Sequence, residues 1–235
     1  VAREHDVRGM GVVTALTVQD TRGVARFVTT PLDVVEEQIQ LLLVDTEIAA
    51  VKIGMLGSAD TARAVALALA GTEAPVVWDP VLASSGGASL LDNIDESATV
   101  LTLLDALLPL CAVVTPNLDE ATRLTGVAVT SPETMSEAAR VLVSRGAKSV
   151  VIKGGHLASD DATDLFYDGK EETWLTDERI ACGEVHGTGC VFSAALACEL
   201  ALGQSPVSAA RRAKRYLSDR LRRPIVVGRG ARCLV

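Results

Sequence analysis

The stretch Ala112-Val113-Val114-Thr115-Pro116-Asn117-Leu118-Asp119-Glu120-Ala121-Thr122-Arg123-Leu124 decides the fold. Its aliphatic start reads as a short strand buried on both faces, because no polar residue alternates within it. Asn117 to Leu124 reads as the helix that follows, with Asn117 suited to the N-cap and Asp119 and Glu120 to the positive end of the helix dipole. Strand, polar corner and helix make one βα unit.

The chain repeats that unit on both sides. Gly11 to Val18 reads as a first strand after a short N-terminal helical piece, and Ala50 to Ile53, Pro75 to Trp78 and Ser149 to Ile152 as later ones. Pro31 to Leu43, Ser58 to Leu69, Asp95 to Leu107, Pro132 to Ser144, Cys190 to Leu202 and Val207 to Leu221 read as helices. Pro31 suits a first turn, and Ser58 or Asp60 suits a cap. Asp164 to Tyr167 and Glu172 to Leu175 read as an antiparallel pair about Asp168-Gly169. Short strands alternating with helices give an α/β domain with a mostly parallel sheet. With no repeat or linker in view, residues 1–235 are expected to form a single domain.

In such sheets ligands bind beyond the carboxyl ends of the strands. Polar or glycine residues close nearly every strand here: Gln19-Asp20, Gly54-Met55-Leu56-Gly57, Asp79-Pro80-Val81, Thr115 to Glu120, and Lys153-Gly154-Gly155-His156. Plainer readings stand beside the functional ones. Asp79 before Pro80 is also a turn former, Asn117 to Glu120 also cap their helix, Met55 also suits a core, and His156 and His186 also serve structure. Lys153, directly after an aliphatic strand and before two glycines, points to function.

Val185-His186-Gly187-Thr188-Gly189-Cys190-Val191-Phe192-Ser193 is a glycine turn opening into an alanine-rich helix. Two glycines let successive N–H groups converge, and the helix N-terminus adds fixed positive charge; such a turn holds phosphate. The same dipole would favour a thiolate at Cys190, able to accept a proton from an alcohol. An ordinary glycine-started helix with a buried cysteine is the other reading of these residues.

Composition narrows the classes. The 235 residues are 49% apolar and only 3% aromatic, with a net charge of −8, which argues against a nucleic-acid surface. The basic residues Arg211, Arg212, Lys214, Arg215, Arg220, Arg222, Arg223, Arg229 and Arg232 read as a solvated face and tail, or as a local anion or partner site. Five cysteines, an odd number without paired metal spacing, fit a reduced cytoplasmic protein. The most apolar stretch, Leu101 to Val114, is broken by Asp105 and Pro109, so no membrane span is expected.

Together the segments GMGVVTALTVQDTRGV, VKIGMLGS, VVWDPVLASSGG, VVTPNLDEATRLTG, GAKSVVIKGGHL and VHGTGCVFSAALACELALG resemble the hydroxymethylpyrimidine/phosphomethylpyrimidine kinases of the ribokinase-like superfamily. The resemblance runs from about Gly9 to the helix ending near Leu221. It implies a three-layer α/β/α fold and ATP-dependent phosphorylation of 4-amino-5-hydroxymethyl-2-methylpyrimidine and its monophosphate, for thiamine biosynthesis. Pyridoxal kinases share the fold and the GTGC turn and are the alternative.

The resemblance also implies roles. Cys190 matches the catalytic position, and Gly187, Thr188 and Gly189 the anion hole. Gln19, Met55 and Val81 match the pyrimidine pocket, Lys153 and Asn117 the nucleotide contacts, and Asp79 and Glu120 acids near Mg2+. A homodimer is expected, with small-molecule substrates and no nucleic-acid or membrane partner. Family members begin with a strand and a glycine-rich segment ending in GAGIQAD or similar. No such segment stands in this sequence, so an N-terminally truncated domain lacking that strand is expected, with a non-catalytic remnant that binds nucleotide or pyrimidine as the competing reading.

Overall fold

The computed structural model describes residues 1–83, 89–91, 96–155, 157 and 161–234, the side chain of Glu96 excepted. His156, the Ser-Gly part of VVWDPVLASSGG and the Asp95 start of one expected helix lie outside the described residues. After a short 3-10 turn at Ala2–His5 come β1 (Ala15–Asp20), β2 (Gly23–Thr29), α1 (Leu32–Asp45), β3 (Val51–Ile53), α2 (Ala59–Ala68), β4 (Val76–Trp78), α3 (Glu96–Leu107), β5 (Cys111–Val114), α4 (Leu118–Thr125) and α5 (Pro132–Ser144). The chain continues with β6 (Val150–Ile152), β7 (Asp161–Tyr167), β8 (Glu172–Glu178), β9 (Val185–His186), α6 (Thr188–Ala201), α7 (Pro206–Leu221) and β10 (Arg232–Cys233).

The main sheet runs β3-β4-β5-β6-β7-β8. The first four strands are parallel, and the β7–β8 hairpin closes the edge antiparallel. Side chains alternate between two cores, as the two-residue period of a strand requires. Val76, Trp78, Val150 and Ile152 join the core that also takes residues of α1 to α5. Val77, Val113 and Val151 face Phe192, Ala195 and Leu196 of α6 and Ala209, Ala210 and Ala213 of α7. The small alanines let α7 approach closely. Each fully buried valine of the strands contributes about 1.5–3 kcal/mol by leaving water. The result is helices, sheet and helices in three layers.

The helices begin where their caps predict. Ser58 Oγ accepts the Thr61 N–H at the start of α2. Asn117 and Glu120 form a reciprocal capping box on α4, and Ser131 with Thr134 does the same on α5.

One strand differs from expectation. Gly11 to Val18 is not a buried strand of the main sheet; among the described residues Ala15–Asp20 pairs with β2 alone, in a separate antiparallel hairpin. Gln19 and Asp20 therefore end a hairpin arm and do not close a strand of the main sheet. The aliphatic run that suggests burial lies on the hairpin's outer face, where Leu16 is 66% and Val18 51% exposed. The short parallel pair β9–β10 is also absent from the sequence reading. The basic stretch of α7 is largely spent on local pairs: Lys214 with Asp164, Arg220 with Glu4, Arg222 with Asp219, and Arg212 with Glu199.

Candidate active site

Strand ladders continue past the strand ends and set the rim residues shoulder to shoulder. The Asp79 N–H donates to the Ile53 carbonyl at 2.9 Å, Thr115 N–H to Trp78 at 2.9 Å, and Lys153 N–H to Pro116 at 2.9 Å. Asp79 is the focus, only 1% exposed. Its Oδ1 accepts from Lys153 Nζ at 2.8 Å and Thr115 Oγ1 at 3.2 Å; its Oδ2 accepts from Ser193 Oγ at 3.1 Å. Lys52 Nζ stands 4.0 Å from Oδ2, and Lys153 Nζ also lies 3.8 Å from Glu120 Oε2.

The glycine turn closes over this pair. Gly187 is the N-cap of α6 at φ +82°, a left-handed conformation that costs little only in glycine. Gly189 touches the charges below: a Cβ there would lie 2.9 Å from Lys153 Nζ and 3.7 Å from both Asp79 oxygens. Ser193, one turn on, ties α6 to Asp79 and also donates to the Cys190 carbonyl at 3.2 Å. Cys190 is exposed at the mouth of the site. The structure thus brings Cys190, Gly187, Thr188, Gly189, Lys153, Asp79, Glu120 and Asn117 together.

The remaining expected residues frame the site. Val81 donates its N–H to the Asp79 carbonyl at 2.8 Å. The Met55 carbonyl accepts from Thr14 Oγ1 at 2.7 Å, just before β1, and Gly57 lies against Thr29 and Phe27 of β2. At the hairpin's other end the Thr21 carbonyl meets His186 Nε2 at 2.8 Å and the Ala231 N–H at 2.8 Å. The hairpin therefore spans from the Gly54–Gly57 loop to the strand entering the glycine turn. Gln19 is exposed on it, and among the described residues no hydrogen bond or ion pair joins it to the charged cluster. His186 holds the hairpin tip.

Burial alone would push the Asp79 carboxyl up, but Lys153 and then Lys52, with bonds from Lys153 and Ser193, hold it below the usual carboxylate range. Burial likewise disfavours charge on Lys153, yet Asp79 and Glu120 keep its ammonium above the ordinary value. Glu120 is pushed up to about 7, chiefly by burial, against the pull of Lys153. The Cys190 thiol is also raised, by desolvation first and then by Asp79 and Glu120, with Lys52 and Lys153 opposing. This differs from the expected resident thiolate: the helix dipole is weighed against a crowded pocket with two acids.

Three contributors are missing from the sequence reading, and a fourth, Thr115, is placed on the rim there without a role of its own. Lys52 interrupts the aliphatic strand β3, and that interruption is itself a signal. Thr115 and Ser193 serve Asp79 through single hydroxyls that no pattern marks. Asp164 accepts the Gly154 N–H at 2.9 Å and pairs with Lys214 at 2.7 Å, anchoring the loop after Lys153. Gly154 is obligatory, since a Cβ would strike the Thr163 carbonyl at 2.1 Å.

A buried ionised acid, an ammonium bonded to it, the N-terminus of α6 and an adjacent thiol suit phosphoryl transfer, which needs alignment and charge neutralisation more than covalent chemistry. Comparison with known proteins agrees. The sequence matches the phosphomethylpyrimidine kinase family over residues 1–234. It is 43% identical over 222 residues to the hydroxymethylpyrimidine/phosphomethylpyrimidine kinase of Streptomyces coelicolor, covering 94% of this chain and 81% of that protein. The enzyme of the same name from Haemophilus influenzae is 39% identical over 230 residues, covering 95% and 84%. Among solved structures, the pyridoxal kinase of Staphylococcus aureus in complex with AMP-PCP superposes with a TM-score of 0.88 at 31% identity, covering 99% of this chain and 84% of that one. The phosphomethylpyrimidine kinase of Clostridium difficile gives 0.79 at 29%, covering 92% and 88%. The chain is therefore a phosphotransferase with the ribokinase-like fold, and it belongs to the phosphomethylpyrimidine kinase family.

Proposed function

We propose that the chain transfers the γ-phosphoryl group of ATP to the hydroxymethyl group of 4-amino-5-hydroxymethyl-2-methylpyrimidine, and then a second one to the monophosphate, in thiamine biosynthesis. The observation that carries this reading is the seating of Gly189 on the Lys153–Asp79 pair with Cys190 beside it. In this reading the N–H groups of Gly187, Thr188 and Gly189 receive the negative charge that develops on the transferred group. Lys153 contacts the nucleotide phosphates from beneath the turn, and Asn117 fixes the α4 end near the nucleotide while capping its helix. Once its thiol has released its own proton to solvent, the Cys190 thiolate takes the alcohol proton late in transfer, when the departing proton itself becomes acidic. Gln19 offers a donor and an acceptor to the aminopyrimidine edge, and Met55 and Val81 line the ring.

Asp79 and Glu120 fit magnesium in the mode where substrate phosphates and water supply most ligands. Asp79 Oδ2 accepts from a neutral hydroxyl, and Glu120 Oε2 from its cap N–H. Asp79 Oδ1 is taken by Lys153 and Thr115, but its Oδ2 and the Glu120 carboxylate keep lone pairs that such a metal could use. When bound, magnesium would supply charge neutralisation on the phosphates, with Asp79 and Glu120 the residues that would hold it there.

The complete set of charged groups supports a catalytic single domain over a non-catalytic remnant. A pyridoxal-type acceptor is the second reading, supported by the pyridoxal kinase neighbours, whose identity is 31% where the pyrimidine kinase relative reaches 43%. Leu16 and Val28, paired across the hairpin, and Val18 expose an apolar face that supports a homodimer. No helix among the described residues is long and apolar enough to cross a membrane. The odd cysteine count supports a reducing compartment such as the cytoplasm.

The test is purified chain with ATP, Mg2+ and, separately, the pyrimidine alcohol, its monophosphate and pyridoxal, with products identified by mass. Pyrimidine mono- and diphosphate are expected. Faster turnover of pyridoxal, or no product with the pyrimidine, overturns the proposal.

A further inference from the structure

Lys52 is the lysine of this site to which the first transfer gives no substrate contact. It stands in a three-residue strand between Val51 and Ile53, and an ammonium there loses hydration unless it meets a partner. Among the described residues its one ion pair is with Asp79 Oδ2, at 4.0 Å, beyond hydrogen-bond reach. Asp79 is meanwhile satisfied by Lys153, Thr115 and Ser193. Lys52 thus keeps donors to spare, with its side chain 25% exposed at the rim.

Its direction is equally informative. The side chain curls over Gly54, where a Cβ would stand 2.6 Å from the ammonium. The ammonium therefore lies over the start of the Gly54–Gly57 loop, which carries Met55. Of the charges around Cys190, Lys52 acts on it most strongly. Lys153 sits beneath the glycine turn, against Gly189, whereas Lys52 sits over Gly54, at the start of the loop that carries Met55.

We propose that Lys52 binds the acceptor's own phosphate in the second transfer and so lets this site phosphorylate a phosphomonoester as well as an alcohol. This rests on the two-step kinase reading above. The two acceptors pose different problems. The alcohol must lose a proton, which the thiolate form of Cys190 takes. The monoester, with a second pKa of about 6, is mostly a dianion near neutral pH. One of its oxygens attacks the γ-phosphorus of ATP and forms the new P–O bond. The bond from that phosphorus to the bridging oxygen breaks, and ADP leaves with the electron pair. No proton has to be moved. The obstacle is the approach of one anion to another, and an additional cation on the acceptor side removes it. A lysine, with a compact charge and rotatable donors, suits a phosphate whose position changes during transfer.

The experiment supplies the alcohol and the monophosphate separately at saturating ATP, using the parent, Lys52→Met, Lys52→Arg and Gly54→Ala. The readout is the ratio of kcat/KM for the monophosphate to that for the alcohol. In Lys52→Met this ratio falls about a hundredfold, mainly through KM for the monophosphate, as expected for losing a charge-assisted phosphate contact. Lys52→Arg recovers part of it. Gly54→Ala keeps every charge and only displaces a flexible ammonium, so it lowers the ratio in the same direction even where Lys52→Met fails to fold. A ratio within about twofold of the parent in Lys52→Met, or in Gly54→Ala where only that variant folds, overturns the proposal. A parent that phosphorylates neither acceptor overturns the function reading instead. Calorimetric binding of the monophosphate without ATP then decides on Lys52, since affinity unchanged in Lys52→Met overturns its role.

Discussion

Replacing Gly189 by alanine separates the site from the fold. Gly189 is the second residue of α6, its φ is not among the positive ones, and alanine in an ordinary helical position gains about 1 kcal/mol over glycine. The new Cβ would lie 2.9 Å from Lys153 Nζ, so the ammonium must retreat by about half an ångström to reach ordinary contact. Directed away from the Cβ, that retreat runs nearly at right angles to the 2.8 Å bond to Asp79 and lengthens it by only about 0.1 Å. A charge-assisted bond is worth about 1.5–3 kcal/mol, and so small a lengthening keeps most of it, so that any loss is offset by the helix gain. Stability should change by less than about 1 kcal/mol, a Tm shift within about 4 °C for a chain of this size. Catalysis has no such compensation. Displacing a phosphate-facing cation and narrowing the turn should lower kcat about 30- to 100-fold, or about 2–2.7 kcal/mol of barrier. Thermal melts and steady-state kinetics on the same preparation measure both. Turnover within about twofold of the parent would refute the assignment of the turn to the transferred phosphoryl group, and a Tm fall beyond about 10 °C would mean that the cost lies in the fold.

Other consequences follow from the same geometry. Gln19→Leu should raise KM for the pyrimidine about tenfold, the loss of about one hydrogen bond, and leave KM for ATP unchanged, both read from initial rates. Glu120 titrates near 7 in the folded chain against an ordinary 4.5, so the folded form holds a proton that the unfolded form releases in that window; this group's contribution to stability is lost as pH rises through it. Because the proton competes with the metal, the Mg2+ concentration for half-activation should rise about tenfold per pH unit below about 7, and Glu120→Gln should flatten that dependence. Lys214→Met leaves the Asp164 carboxylate buried without its partner and should cost about 3–5 kcal/mol in denaturant unfolding, with partial recovery on adding Asp164→Asn.

The layered fold is legible because buried parallel strands are uniformly aliphatic and their helices carry caps at the right places, as at Ser58, Asn117 and Ser131. The hairpin is not. Val12 to Val18 has the aliphatic density of a core strand, and only its pairing with Gly23–Thr29 and its exposed outer face distinguish it. The chemistry follows the same division. Asp79, Lys153 and the glycine turn announce themselves by breaking apolar runs at strand ends. Thr115, Ser193 and the Asp164–Lys214 pair act across large sequence separations through ordinary residue types, so only the packed chain brings them to the site. Lys52 is the intermediate case: its charge inside β3 is visible, but its meaning depends on β4 placing Asp79 alongside.

The central claim, that the acceptor hydroxyl lies against Cys190 at the mouth of the Gly187–Gly189 turn, is tested most directly by alkylation with mapping. Cys190 is exposed, Cys111 and Cys198 are buried, and burial pushes the Cys111 thiol far up. The raised Cys190 thiol means that labelling by iodoacetamide should be slow near neutral pH and quicken as pH rises. Kinase activity should be lost one-for-one with modification of the Cys190 peptide, and the pyrimidine alcohol should slow labelling and inactivation by the same factor. Activity that survives complete labelling of Cys190, or that falls in step with Cys182 or Cys233 instead, would contradict the account.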